Sequence, residues 1–379
     1  MAGHLPDACP SFLTITVEMD TMTNLTVEMD TMTNLTVEMD TMTNLTVEMD
    51  TMTNLTVEMD TMTNLTVEMD TMTNLTVEMD FFLTQFSDNK QLQVFHGFLF
   101  LLIYLEALMG NLLIFILVTV DGCLHTPMYF FLKNLAFLDA GLISVTVPNL
   151  ILNSFTHRSN ISLPGCIFQV FLVVNFAGSE LGILIAMSYD RYVAICHPLN
   201  YDVIMKKEIC MQMVVTSWLL GSFFGVLHTA GTFSLSFCGS RKLPQFFCDV
   251  PSLLKISCSK KHVTTDVSVA IGALFGLFGF VCIGYSYGYI FQTVLRVHSL
   301  HGHSKAFYTC VPHLIVVITF LVTAVFVYLK PVSDSPHLVD FLASIFYSVM
   351  PPSLNPLIYS LRNKDIKAAL WKFLWKLNH

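Results

Sequence analysis

From residue 96 onward the chain alternates long apolar runs with short polar connections. Seven runs of spanning length lie at about 96–120, 129–151, 167–193, 211–231, 268–294, 307–328 and 339–361. Each can cross roughly 30 Å of hydrocarbon at a helical rise of about 1.5 Å per residue. In lipid every backbone polar group must be satisfied within its own segment, so the pattern predicts helices. Beyond the last run, "NKDIKAALWKFLWKLNH" puts Ile366, Leu370, Phe373, Leu374 and Leu377 on one stripe flanked by lysines, which predicts a short helix on the cytoplasmic membrane surface.

The front of the chain is different. "TMTNLTVEMD" occurs six times without interruption from Thr21 to Asp80, acidic, Thr-rich and free of aromatics, Gly and Pro. Such segments bury too little to offset the entropy of ordering, so the repeat is expected to be disordered. The fold class is therefore an all-α membrane protein, a seven-transmembrane-helix bundle with a short amphipathic cytoplasmic helix and a disordered repetitive N-terminal tail. Three regions follow: a tail over 1–94, with the repeats at 21–80; a seven-span body over 95–361; and a cytoplasmic helix and C-terminus over 362–379.

Composition agrees, with 54% hydrophobic and 12% charged residues and a mean hydropathy of +0.62, against roughly 25% charged in an average soluble domain. The net charge of -9 is uneven, because residues 1–94 hold sixteen acids and one lysine whereas the rest holds twelve acids and eighteen Lys or Arg. The basic charges of the body sit in short loops, which argues for membrane orientation and against nucleic acid. With the amino terminus outside, eleven Lys or Arg lie on the cytoplasmic side and eight outside, five of those eight in one long loop. Setting that loop aside favours the amino terminus outside. No secretory signal peptide is visible, which leaves the first span as the targeting signal.

Charged and polar residues inside the spans are the first candidates for function, since an ionisable group in lipid is costly. Glu106, Asp139 and Glu180 lie in the first three spans, with Asn111 also at depth. Asp139 with Glu180 would suit a cation such as Na+ or exchange a proton; no other cofactor and no other metal site is expected. "MSYDRYVAICHPLNY" sets Asp190, Arg191 and Tyr192 at the inner end of the third span, a releasable Asp-Arg lock. "PPSLNPLIYSLRNKD" ends the seventh span, where Pro356 removes a backbone donor and Asn355 and Tyr359 offer polar groups, as a hinge would. Val173, Val174, Ala177 and Gly178 share one helical face, as do Leu321, Ala324, Val325 and Tyr328; stripes of this kind are more often packing than pocket. "GALFG" at 272–276 reads as a small-xxx-small helix contact. His298, His301 and His303 read as a solvated basic loop. No HExxH, GxSxG or P-loop is present, so an enzyme is not expected.

Cys166 opens the third span, and Cys238, Cys248 and Cys258 lie in the long outer loop, on the oxidising side. Two disulfides are expected there, and four cysteines allow three pairings. Each repeat contains Asn-Leu-Thr, so Asn24, Asn34, Asn44, Asn54, Asn64 and Asn74 are acceptors for N-glycosylation, and Asn160 in "NIS" is a seventh.

Together the motifs resemble the olfactory (odorant) receptors, a branch of the rhodopsin-like G-protein-coupled receptors. The carriers are "GN" at 110–111, "LHTPMYFFLKNLAFLD" at 124–139, "MSYDRYVAICHPLNY" at 187–201, "FFCDVPSLLKISC" at 246–258, "SYGYI" at 286–290, "KAFYTCVPHL" at 305–314 and "NPLIYSLRNKD" at 355–365. The resemblance implies a receptor that binds small volatile molecules in an outer pocket and activates a heterotrimeric stimulatory G protein, raising cyclic AMP, in contact with membrane lipid at the plasma membrane. It implies pairing of Cys166 with Cys248 and of Cys238 with Cys258. It also implies that Arg191 leaves Asp190 for Tyr287 and Tyr359, and that Asp139 and Glu180 form a buried polar switch. Family pocket positions fall on both stripes and on Ile271, Phe275, Ile345 and Ser348.

Departures from the family pattern are Leu321 in place of a common aromatic, Pro312 within "TCVPHL", His303 in place of Arg, and the repeat. "MTNLTVEMDFFLTQFSD" from Met72 resembles a complete amino terminus of this family, so the earlier copies look like tandem duplication. Two other classes stand beside this expectation: a non-olfactory receptor for another small ligand, and a channel or transporter. Val173 stands where an amine receptor would place its counter-ion, and the spans show no inverted repeat.

Overall fold

A computed structural model describes residues 80–83, 90–156, 160–237, 242–243, 245–258, 263–296, 310–322, 345–346 and 348–377. The repeats with their six sequons, Cys238, the 298–303 histidines, Ala324, Val325 and Tyr328 lie outside these residues.

Among the described residues, five helices are long and apolar enough to cross a membrane: α1 (Lys90–Val120), α2 (Pro127–Thr156), α3 (Leu163–Cys196), α5 (Lys207–Phe233) and α7 (Val263–Arg296). Between α3 and α5 lies α4 (Tyr201–Ile204), a single turn, and α6 (Val250–Lys255) sits in the outer loop. The sixth span is described over α8 (Cys310–Val322) and the seventh over α9 (Met350–Arg362), followed by α10 (Lys364–Leu377). All seven predicted spans thus coincide with helix, two of them described in part.

The second and third spans form the centre. Buried residues on α3 recur at helical spacing, among them Cys166, Val170, Val173, Glu180, Ile183, Leu184 and Met187. Apolar residues exposed on the bundle, such as Leu102, Met109, Leu274 and Leu295, make the outside suited to lipid. The closest approach is between α3 and α5. A Cβ built on Gly221 would overlap Ser179 Oγ and the backbone carbonyl of Asn175, so only glycine lets these helices meet there.

At the outer end a three-stranded sheet joins distant segments. Strand β1 (Asp80–Leu83) lies between β2 (Asn160–Ser162), with which it is antiparallel, and β3 (Lys242–Leu243), with which it is parallel. Alternation explains it: Phe81 and Leu83 are buried against Ile161, Leu243, Val250 and Leu253, and Phe81 meets the Phe237 ring edge-on at 5.6 Å. The last residue of the sixth copy and the three after it form a strand, and α1 begins at Lys90.

At the inner end Asn363 caps α10, its Oδ1 accepting from Asp365 N at 2.9 Å and Ile366 N at 3.2 Å. Ile366 and Ala369 are buried against the bundle, while Trp371, Leu374 and Trp375 are exposed on the other side, as expected of a helix at a membrane surface. Lys372 reaches Asp121 at 3.4 Å; the backbone N–H of Cys123, and then Lys372, hold the Asp121 carboxyl below its usual range.

Candidate functional site

The inner lock is built on the last turns of α3. Asp190 is buried, and Arg191 Nε lies 3.7 Å from its Oδ2. The turn at Pro198–Asn200 brings back α4, from which the Tyr201 hydroxyl donates to Asp190 Oδ1 at 2.7 Å. Burial, and then the charge of Asp190, push the Tyr201 phenol far above its usual range, so it keeps its proton and remains a donor. Arg191 Nε makes no hydrogen bond among the described residues. Tyr192 pairs its hydroxyl with His197 Nε2 at 3.0 Å.

Across the bundle, the Tyr287 hydroxyl and His313 Nδ1 are 2.7 Å apart with their rings stacked, which fastens α7 to α8. Tyr359 is fully buried in the same core, its hydroxyl without a hydrogen-bond partner among the described residues. The structure therefore brings Asp190, Arg191, Tyr287 and Tyr359 to one end of one core, with Arg191 still beside Asp190.

Deeper in the bundle, Asn355 Nδ2 donates to Asp139 Oδ2 at 2.9 Å. Glu180 is buried alongside, close enough for the Asp139 charge to act on it. Four oxygens here have no hydrogen-bond partner among the described residues: Asp139 Oδ1, Glu180 Oε1, Asn355 Oδ1 and Asn111 Oδ1. Asn111 Nδ2 donates to Pro352 O at 2.8 Å. The chemistry of that bond follows from Pro356. Proline lacks the N–H that would bond the carbonyl four residues back, and that carbonyl belongs to Pro352. A side chain from α1 thus satisfies the acceptor that the proline frees. Gly110 completes the joint, since a Cβ there would stand 2.8 Å from the Pro356 Cβ.

Of the outer candidates, Val173 is buried in a cluster with Phe246 and Phe247 of the outer loop, and Ile345 packs against the same cluster. The outer loop is pinned over them by the Cys166–Cys248 disulfide and by Gln169, whose Oε1 accepts from Cys248 N at 2.8 Å. Cys258 is also disulfide-bonded. Val174 packs into the sheet cluster, Ala177 is half-buried and Ser348 is buried. Phe275 meets Phe224 in a tilted ring contact with centroids 4.9 Å apart, and Ile271 is 37% exposed.

Gly178 faces the Gly221 Cα at the contact between α3 and α5. Leu321 packs on the inner core cluster, away from the Val173 and Phe246 group. In "GALFG" only Gly272 meets a neighbouring helix, at His228, while Gly276 has open space where a Cβ would be. Asn160 is exposed on β2.

Sequence reasoning did not single out Tyr201, His313, His228 or Leu199. The two histidines carried a signal, because an ionisable side chain within an apolar run marks a position for inspection. Tyr201 and Leu199 carried none, since the fold alone returns α4 to Asp190 and leaves Leu199 97% exposed beside it.

The model of a family described as olfactory receptor matches residues 100–376. Human olfactory receptor 14A2 is 55% identical over 296 residues, which cover 78% of this chain and 94% of that protein. Human olfactory receptor 14K1 is 56% identical over 297 residues, covering 78% and 95%. Among solved structures, squid rhodopsin aligns over 78% of this chain and 88% of its own with a TM-score of 0.62 at 19% identity, a likeness of fold.

Proposed function

Because this chain belongs to the olfactory receptor family, we propose that it binds a small volatile molecule in the outer half of its bundle and activates a stimulatory G protein, raising cyclic AMP. It is a multi-pass protein of the plasma membrane with a rhodopsin-like fold, and a receptor rather than an enzyme.

The observation that carries the proposal is the lock at Asp190. One carboxylate is held by Arg191 at 3.7 Å and by Tyr201 at 2.7 Å, at the cytoplasmic end of the third span. Arg191 Nε makes no hydrogen bond among the described residues, and two tyrosines, Tyr287 and Tyr359, lie in the core it borders. Arg191, once released, can donate to the Tyr287 hydroxyl oxygen while that hydroxyl remains hydrogen-bonded to His313 Nδ1, so the arginine would join the contact that fastens α8 to α7. An outward movement of the sixth span would open a cleft, and Leu199 offers an apolar knob at its rim for a G protein. Ligand acts by binding the open arrangement better than the closed one.

The pocket reading rests on Val173, Val174, Ala177, Ile271, Phe275, Ile345 and Ser348, below a loop held by Cys166–Cys248. The carboxylates of Asp139 and Glu180 and the amide oxygens of Asn355 and Asn111 suit Na+, a hard cation that takes oxygen ligands. Such an ion would supply charge balance to two buried acids and favour the closed arrangement that keeps Asn355 on Asp139. The tail is expected to bear sugar at its sequons and at Asn160.

The test is cyclic AMP in cells expressing the full chain, exposed to a panel of volatiles, with membrane current recorded in parallel. A ligand-dependent rise supports the receptor. Silence in cyclic AMP with a ligand-gated current would instead support a channel.

A further inference from the structure

The seam between α5 and α7 changes character towards its outer end. Phe224, His228 and Thr232 follow one another at four-residue spacing on α5, so they share a face. Opposite them on α7 stand Phe275, Gly272 and Thr265. The first rung is aromatic, with the Phe224 and Phe275 rings 4.9 Å apart. In the second rung the imidazole of His228 occupies the room that Gly272 leaves, since a Cβ at 272 would stand 3.3 Å from His228 Cε1 and 3.4 Å from Nε2.

His228 is 4% exposed, and its Nδ1 lies 3.0 Å from the Phe224 carbonyl oxygen. A carbonyl only accepts, so Nδ1 carries the proton, and Nε2 of the neutral ring is left with a lone pair. One turn further out, the Thr232 hydroxyl is buried and has no hydrogen-bond partner among the described residues. Thr119, Thr146 and Thr156 satisfy themselves on the carbonyl four residues back, whereas the Thr229 hydroxyl on α5 is also left without a partner among the described residues. Thr232 makes no such bond, although its neighbour Thr265 bonds Gly231 O at 3.0 Å. A free acceptor and a free hydroxyl therefore stand one turn apart on one helix face, buried, beside Phe275.

We propose that His228, Thr232 and the notch at Gly272 form a polar subsite that takes the hydroxyl group of an alcohol or phenol, a proposal that rests on the odorant-receptor reading. A hydroxyl is the group that fits both sides: it donates to His228 Nε2 and accepts from Thr232 Oγ1. The apolar remainder of the ligand lies against Phe224 and Phe275, and the absence of a side chain at 272 keeps the acceptor accessible. A ligand without a donor would leave the imidazole lone pair unmatched in a site already closed to water, which is how a hydrogen-bonding site rejects an analogue.

The test compares matched pairs, a straight-chain or ring alcohol and its methyl ether, in cells expressing the full chain, with surface delivery measured for every variant. The unmodified receptor should respond to alcohols at concentrations about tenfold or more below the ethers, the worth of one buried hydrogen bond. His228→Phe, which keeps an aromatic ring and removes the acceptor, should bring the ratio close to one, the alcohols losing potency and the ethers gaining it as the unmatched lone pair is removed. Thr232→Val, similar in shape, should lower the ratio by a smaller factor, and it serves if the histidine variant fails to reach the surface. An alcohol preference that survives both substitutions overturns the subsite while leaving the receptor reading intact, as does a set of agonists made up of ethers and hydrocarbons. A chain that reaches the surface and answers no volatile overturns the receptor reading itself.

Discussion

Replacing Asn111 by Leu removes the side-chain N–H that serves the Pro352 carbonyl at 2.8 Å, in a residue only 1% exposed. Position 356 is proline, so no backbone N–H can take over, and an acceptor is left orphaned at the depth of the lipid. An orphaned buried acceptor costs about 1–3 kcal/mol, so a loss of about 2 kcal/mol is expected. At a slope of about 2 °C per kcal/mol for a chain of this size, the thermal midpoint should fall by about 4 °C. The bond to Ala107 O adds little, because that carbonyl lies within regular helix. The decisive step is the second background. Pro356→Ala restores an N–H aimed at Pro352 O while keeping the Cβ that packs on Gly110. In that background Asn111→Leu should cost only about 0.5 kcal/mol, a coupling of about 1.5 kcal/mol between two residues 245 positions apart. The assay is thermal unfolding of the four receptors purified in one detergent. Equal losses in the two backgrounds would refute the account of why Asn111 and Pro356 occur together.

Tyr201→Phe deletes one of the two groups holding Asp190 and should raise ligand-independent cyclic AMP about tenfold or more, the worth of a hydrogen bond to a carboxylate being about 1.5–3 kcal/mol; a basal level equal to the parent would count against the lock. Because the phenol is pushed upward, the proton is retained throughout the neutral range, and the difference between parent and variant should stay flat as pH is varied there. His313→Leu should act in the same direction by freeing Tyr287, read in the same assay. Asp139→Asn should abolish any dependence of ligand affinity on sodium concentration, with lithium and choline as controls, whereas a persisting dependence would remove Asp139 from the ion site. A chain starting at Met72 should match the full chain in surface delivery and response. A chain starting at Thr84 lacks β1 and the two side chains buried under the loop, and should lose both; burying a phenylalanine such as Phe81 is worth about 3–5 kcal/mol.

The spans were legible because lipid imposes one length and one secondary structure. Hydropathy reports the part of a helix that lies in hydrocarbon, so α1 was placed from residue 96 whereas the helix already runs from Lys90 through Gln91 and Gln93. Strand β1 was not legible. Four residues, three of them apolar, are too few to show their alternation in sequence, and their partners Asn160–Ser162 and Lys242–Leu243 lie about 80 and 160 residues away along the chain. At the site, Pro356 announced a freed carbonyl, yet only packing shows that Asn111 meets it. Asp139, Glu180 and Asn355 were visible as polar residues in apolar runs, but their grouping depends on how three helices rotate. The glycines at 178 and 272 were the least informative in sequence. One stands against Gly221 and the other makes room for His228, and nothing local distinguishes a contact from a notch.

The central claim is that a volatile ligand outside is coupled through Arg191 to a G protein inside. Its most direct test is cyclic AMP evoked by an agonist in cells carrying either the full chain or its Arg191→Ala variant at equal surface density. The account predicts a dose-dependent rise in the first and none in the second, with ligand binding retained in both. An equal rise in the two would contradict it.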